Sequence, residues 1–237
     1  MKYMIKDTLI LFVITLVAGA LLGFVNELTK EPIARYEAEK KALACSEVFY
    51  ETDENGEPKE VVSLLFVDMA EEEILAINDK LTGNIGENIV IDEVYRAYQQ
   101  VSPSDDADDM EDSTGAGLGE LVSEDDFYGY VIGVTTKEGY NGDVSFYAGI
   151  TKEGRLKGVS LLQIAETPGL GMNAESVLLP QFRDVEAMKF TVVKTGAISM
   201  DEIDAISGAT ITSDAITEGV NAAYECYCIL QEGGEAL

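Results

Sequence analysis

An uninterrupted apolar run, Thr8 to Val25, constrains this chain more than any other feature. It holds no charged residue and is rich in Leu, Ile, Val and Phe. As a helix it would be about 27 Å long, close to the hydrocarbon thickness of a bilayer. A cleaved signal peptide is the competing reading, because Ala18-Gly19-Ala20 imitates a small-x-small cleavage site. The apolar residues continue through Leu21, Leu22, Gly23, Phe24 and Val25, whereas cleavage sites follow the apolar region. That continuation favours a retained anchor in the lipid bilayer. Charge fixes its orientation poorly, since Lys2, Lys6 and the amino terminus face Lys30, Arg35, Lys40 and Lys41 across the run.

Beyond the anchor, a chain of 237 residues has room for one compact domain and some elaboration. Its formal net charge of -28 excludes a nucleic-acid binder, which needs a basic stripe. The acidity serves solubility first, and it also repels small anions from solution. Histidine is absent. With it go His-based catalytic triads, His-ligated haem and two-His zinc sites. Cys45, Cys226 and Cys228 form no C-x-x-C pair and cannot complete a four-thiolate cluster. They read as packing or incidental thiols, with an oxidised pair involving Cys45 as the alternative. No metal site is expected.

The pattern divides the chain into an anchor over 1–30, a stalk helix with a variable region and acidic loop over 31–119, and a main domain over 120–237. Glu31 to Cys45, rich in Glu, Ala and Lys, predicts a helix continuing from the anchor. In the variable region, Asp53-Glu54-Asn55-Gly56 suggests a hairpin turn, Val61 to Val67 a buried strand and Glu71 to Lys80 a short helix. Ser102 to Gly119 crowds six acidic residues before three glycines. The spacing does not fit a calcium-binding EF-hand loop, so a solvated acidic loop that resists packing is the better reading.

From Phe127 onward the order is clearer. Tyr128 to Thr136, Val144 to Ile150 and Leu156 to Gln163 read as strands joined by turns at Gly139-Tyr140-Asn141-Gly142 and Lys152-Glu153-Gly154. Leu178 to Phe182 reads as a helix end and Phe190 to Lys194 as a further strand. Short turns between neighbouring strands imply antiparallel pairing with helices on one face, hence an α+β fold.

Two segments of this region carry chemistry. In Glu166-Thr167-Pro168-Gly169-Leu170-Gly171, Pro168 presets a turn, Gly169 supplies a positive φ, and Gly171 lets the main chain approach a flat ring. Leu170 would lie against an apolar ring edge, with Thr167 near a polar one. An ordinary Pro-Gly turn is the plainer reading. The second segment is Asp204-Ala205-Ile206-Ser207-Gly208-Ala209-Thr210, set directly before a helix. Thr212-Ser213-Asp214 reads as the cap of that helix, and Ile216, Val220, Ala223, Tyr227 and Leu230 share its inner face. Thr210 then sits where free backbone amides and the positive end of a helix dipole converge, a place suited to a phosphate. A Ser/Thr-rich turn leading into a core helix is the plainer reading here.

The second segment resembles the flavinylation motif of the FMN-binding domains in the G subunit of the Rnf complex and the C subunit of the sodium-pumping NADH:quinone reductase. The first resembles the loop over the flavin ring in those domains, and Thr29-Lys30-Glu31-Pro32-Ile33-Ala34 resembles their exit from the membrane. The resemblance covers the anchor and the last 110 residues or so; the middle matches weakly. It implies that Thr210 is joined to the phosphate of FMN and that Ser207, Gly208 and Ala209 form the turn presenting it. Asp204 then belongs to the signature read by an FAD:protein FMN transferase. Glu166, Thr167, Gly169, Leu170 and Gly171 would border the cofactor, and Thr212 is the nearest competing hydroxyl.

The family's function implies an electron relay without a complete active site of its own, partnered by the other proteins of a membrane complex. That complex moves electrons from ferredoxin to NAD and exports sodium or protons. The resemblance also places the main domain outside the cytoplasmic membrane. The alternatives are the quinone-reductase C subunit and an anchored acidic binding module without flavin.

Overall fold

The structure, a computed structural model, describes residues 2–49, 51–52, 58–59, 64–85, 88–99 and 123–234. The chain divides into two compact units, Met1–Ala42 and Leu43–Leu237.

Residues 2–42 of the first unit are helical throughout. They belong to α1, Lys2–Glu47, which runs unbroken with Pro32 inside it. The segment from Ile10 has a mean hydropathy of 2.1 over its most apolar window, and none of that window is buried. Length and composition suit it to cross a membrane. The apolar side chains from Ile10 to Leu28, among them Leu16, Leu22 and Phe24, are exposed, which costs little only where the surroundings are lipid.

The second unit is built on six strands in the order β3-β4-β5-β6-β7-β8. These are β3 (Leu64–Asp68), β4 (Ile89–Gln99), β5 (Phe127–Thr136), β6 (Val144–Thr151), β7 (Arg155–Gln163) and β8 (Val185–Glu186), antiparallel at every pairing. The fold is α+β, as the short turns imply. A small hairpin of β1 (Glu51–Thr52) and β2 (Pro58–Lys59) flanks the suggested Asn-Gly turn, which lies outside the described residues. So does the acidic loop of 102–119. Two strands from the region set apart as variable thus join the sheet of the main domain.

One face of the sheet carries the main core. Helix α2 (Glu71–Ile85) packs on β4, and α4 (Thr210–Gly234) packs on β4, β5 and β6. Ile132, Val134, Phe146, Ala148 and Ile150 point to this side and meet Ile216, Val220 and Ala223 of α4. Each large side chain buried this way contributes about 1.5–3 kcal/mol. Tyr227 and Leu230 extend the same stripe at its partly buried end.

The other face is covered as well, a correction to the expectation of helices on one side only. Val131 and Tyr147, alternating with the residues above, pack against Ala44, Cys45, Val48 and Phe49 at the end of α1. Val48 lies on bare backbone: a Cβ added to Gly149 would be 2.8 Å from its Cγ2. Because both faces of β5 and β6 are covered, those strands are buried almost throughout. The polar groups in this layer are paired. Tyr147 and Tyr95 both donate to the Glu93 carboxylate, at 2.5 and 2.8 Å. Burial first, and then the bond to Glu93, holds the Tyr147 hydroxyl well above its ordinary range.

Three further expectations change in detail. The strand placed at Val61–Val67 is β3, a half-buried edge strand instead of a buried one. The short helix α2 runs five residues past Lys80, to Ile85. The strand placed at Phe190–Lys194 is β9 (Thr191–Val193), which leaves the main sheet to pair in parallel with β10 (Glu202–Asp204). Among the described residues no disulfide forms; burial first, then Cys228, pushes the Cys226 thiol up to about 12.

Candidate functional site

The turn before α4 is tightly organised. Ala209 N–H donates to Ile206 O at 2.9 Å, so Ser207 and Gly208 are its central residues. Gly208 has φ of 77°, a left-handed value that only glycine takes freely. Helix α4 begins at Thr210, earlier than the expected cap at Thr212-Ser213-Asp214. Those three residues lie inside the helix, where Ser213 does a related job. Its buried hydroxyl accepts the Ile206 N–H at 2.9 Å and donates to Ala209 O at 3.0 Å, clipping both ends of the turn together.

The Ser213 N–H makes the first helical bond, to Ala209 O. The amides of Thr210, Ile211 and Thr212 therefore stand in the first turn, where a helix offers no internal acceptor and its dipole favours an anion. Thr210 is exposed there. Thr212, the competing hydroxyl, is only 1 % exposed.

The loop of 166–171 is held differently. Leu170 N–H donates to Thr167 O at 3.1 Å, closing a turn with Pro168 and Gly169 at its centre, and Gly169 has φ of 79° as expected. Glu166 is buried, and its Oε1 accepts the Tyr140 N–H at 2.7 Å. Asn141 Nδ2 returns a bond to Ala165 O at 2.8 Å. The Glu166 carboxylate thus braces the Gly139–Gly142 turn from 26 residues away.

Gly171 also has a packing role. A Cβ there would lie 2.7 Å from Glu166 Cβ and 2.7 Å from Thr212 Oγ1. The close approach it permits is between the loop and the start of α4.

These pieces meet in one pocket of about 480 Å³, within the range of small-molecule sites. Glu166, Thr167, Leu170 and Gly171 line one part of it, and Gly208, Ala209 and Thr210 another. The two motifs touch, since a Cβ on Gly208 would be 3.1 Å from Leu170 Cδ2. Gly169, Ser207 and Asp204 are not among the lining residues. Asp204 is half-buried instead, and its Oδ1 accepts the Ala197 N–H at 3.0 Å. Its backbone is gripped by the Gln181 side chain, at 2.8 and 3.0 Å.

Sequence reasoning passes over Tyr140 and Ile211, which also line the pocket and are largely exposed. A Gly-x-x-Gly turn with a tyrosine, set between two strands, is the available signal for Tyr140. Gln181 and Ser213 give none, because their partners are remote or inside the turn itself. Carboxylates crowd the next turns of α4. Burial raises Asp214, and burial, Glu138 and then Asp214 raise Glu218. Among the described residues no cluster of three His, Cys, Asp or Glu side chains suits a metal ion.

The residues present fit a flavin mononucleotide: an exposed hydroxyl and free amides for its phosphate, and a pocket with large apolar side chains for its ring. Comparison with known proteins agrees. A family model described as FMN-binding domain matches residues 139–225, which span both motifs and the Tyr140 turn. A second, RnfG N-terminal region, matches residues 1–48. The G subunit of the Na(+)-translocating ferredoxin:NAD(+) oxidoreductase complex of Acetobacterium woodii is 29% identical over 95% of this chain and 92% of its own length. The G subunit of the proton-translocating ferredoxin:NAD(+) oxidoreductase complex of Clostridium ljungdahlii is 40% identical over 40% of this chain and 51% of that protein. The G subunit of an ion-translocating oxidoreductase complex in Methanosarcina acetivorans is 33% identical over 44% and 54%. Among solved structures, Shewanella oneidensis NqrC aligns with a TM-score of 0.44 at 13% identity, over 81% of this chain and 98% of that one. Both family models, in this order, and a relative aligned almost end to end show that the chain is similar to the G subunits of Rnf-type complexes and carries an FMN-binding domain.

Proposed function

We propose that this chain is the flavin-carrying relay of an ion-translocating ferredoxin:NAD(+) oxidoreductase complex, with FMN joined through its phosphate to the Thr210 hydroxyl. The observation that carries the attachment is the placement of Thr210: exposed, first in its helix, and on the rim of a pocket that the flavin-loop motif also lines. Bound FMN supplies reversible electron uptake and release. The protein supplies position. The amides of Thr210, Ile211 and Thr212 receive the phosphate charge, Leu170 and Ile211 offer apolar surface, and Glu166 holds the Tyr140 turn at the rim.

Covalent attachment also suits the electrostatics. A net charge of -28, with Glu138, Asp214 and Glu218 grouped near the start of α4, makes the noncovalent capture of a phosphate dianion unfavourable. A phosphoester bond holds the flavin in spite of that field. Helix α1 anchors the chain in the membrane, and the domain of 43–237 lies on its extracytoplasmic side, among the other proteins of the complex.

The full chain, co-expressed with an FAD:protein FMN transferase, is expected to be yellow and to keep flavin fluorescence through denaturing electrophoresis. Colourless protein from cells with an active transferase would overturn the reading. Flavin lost on denaturation would leave a binding site without the bond. Protease added outside intact spheroplasts is expected to reach the domain, and protection there would reverse its sidedness.

A further inference from the structure

We propose that Asp204 is a positioning residue, and that the turn it tethers, Gly196 to Met200, is the docking point of the enzyme that transfers FMN to Thr210. This rests on the attachment proposed above and adds how the chain is recognised.

The two most exposed large hydrophobic side chains among the described residues are Ile198, at 95%, and Met200, at 80%. Both exceed the most exposed large hydrophobic side chain of α1, Leu22 at 72%. They sit in one connection, between the parallel strands β9 and β10. That connection is strongly ordered. Asp204 Oδ1 accepts the Ala197 N–H at 3.0 Å, and Glu202 Oε2 accepts the Ile198 N–H at 2.8 Å. Thr191 N–H donates to Asp201 O at 2.7 Å, and Gly196 takes φ of 79°. A turn fixed this firmly around two bare apolar side chains is preorganised for a partner, because little entropy remains to be lost on docking.

The partner follows from chemistry and from continuity. Asp204 ends the tether and begins the acceptor segment, and Gln181 fixes its backbone in place. A standard interface covers about 800 Å² per partner, a patch roughly 30 Å across; Ala197 is hydrogen-bonded to Asp204, and the stretch from Asp204 to Thr210 spans at most about 22 Å, so one such patch can reach both the turn and Thr210. Thr210 cannot form the bond alone. Its oxygen must attack the FMN-side phosphorus of FAD. One P–O bond forms as the pyrophosphate P–O bond breaks, AMP leaves, and the hydroxyl proton passes to a base. On the attachment proposed above, FAD and the catalytic groups come with the transferase, which must therefore meet this edge of the chain. The Asp204 carboxylate meets that protein indirectly, through the turn it holds.

The test uses the full chain in detergent, purified transferase and FAD, with Thr210→Ala as the blank. Initial rates of flavin incorporation are followed against chain concentration, and melting temperatures are recorded beside them. The double variant Ile198→Ser with Met200→Ser should raise KM about tenfold, leave kcat and Tm unchanged, and incorporate full flavin at saturation. Asp204→Asn, whose amide oxygen still accepts from Ala197, should behave as wild type, whereas Asp204→Ala should raise KM like the double variant. Wild-type kinetics in the double variant would overturn the docking turn. Equal damage from Asp204→Asn and Asp204→Ala would mean that the charge is read directly, which also overturns it. Unchanged incorporation with slower reduction of the loaded flavin would assign the turn to a redox partner instead. No incorporation into wild type would remove the attachment reading itself, a different failure.

Discussion

The two segments that line the pocket are built for different tasks. In the turn before α4, Ser207, Gly208 and Thr210 face outward, and the bonds that shape it come from elsewhere: Ser213 clips the turn, and Gln181 grips the strand before it. In the loop of 166–171, the residues themselves do the packing. Glu166 is buried on the Tyr140 amide, and Gly171 lies against Thr212 and Glu166. One segment displays a hydroxyl; the other holds the wall. Substitutions in the first should therefore alter modification and leave stability alone, whereas substitutions in the second should do the reverse.

The sharpest contrast is Thr210→Ala. It should remove all covalent flavin from denatured protein while changing stability by no more than about 0.5 kcal/mol, as for other exposed positions. A large loss of stability would mean that the acceptor turn is also a wall. Gly171→Val is the counterpart. A side chain forced within 2.7 Å of Glu166 and Thr212 should cost about 1–3 kcal/mol, read as a lower melting temperature, with flavin still attached in the folded fraction. Next, Glu166→Ala strands the Tyr140 amide and should cost about 1–2 kcal/mol. Glu166→Gln retains an acceptor and should recover most of that loss, which separates a brace from a charged contact to the flavin.

The smallest effect on stability is expected for Tyr140→Ala, within about 0.5 kcal/mol, since the side chain is 68% exposed. Its effect belongs to the cofactor. An aromatic ring lining the pocket quenches flavin emission by contact, so the variant should be brighter than wild type in the native state and equal to it after denaturation. Equal native brightness would put Tyr140 outside the flavin's reach.

Much of this architecture is legible in the sequence because it is local. Strands β5 to β7 follow alternating apolar residues between Gly-containing turns, and both motifs carry their own turn chemistry. Strand β4 escapes such a reading although it is the longest. Register shifts near Glu93 and Tyr98 reset which face its side chains point to, and Asp92, Glu93 and Arg96 interrupt the apolar pattern. The start of α4 is easily placed too late, because Thr212 and Ser213 have the composition of a cap while lying inside the helix. The role of Glu166 is out of reach for another reason: its partner Tyr140 is 26 residues away, and no local pattern records such a bond. That the two motifs share a pocket is likewise a property of the fold alone.

The central claim is that Thr210, and no neighbouring hydroxyl, carries the flavin phosphate. No Lys or Arg follows Lys194, so tryptic digestion of the transferase-modified chain leaves one C-terminal peptide starting at Thr195. Fragmenting that peptide by electron transfer, which preserves phosphoesters, should locate a single FMN adduct between Ala209 and Ile211. An adduct on Thr212 or Ser207, or an unmodified peptide from chain exposed to an active transferase, would contradict the account.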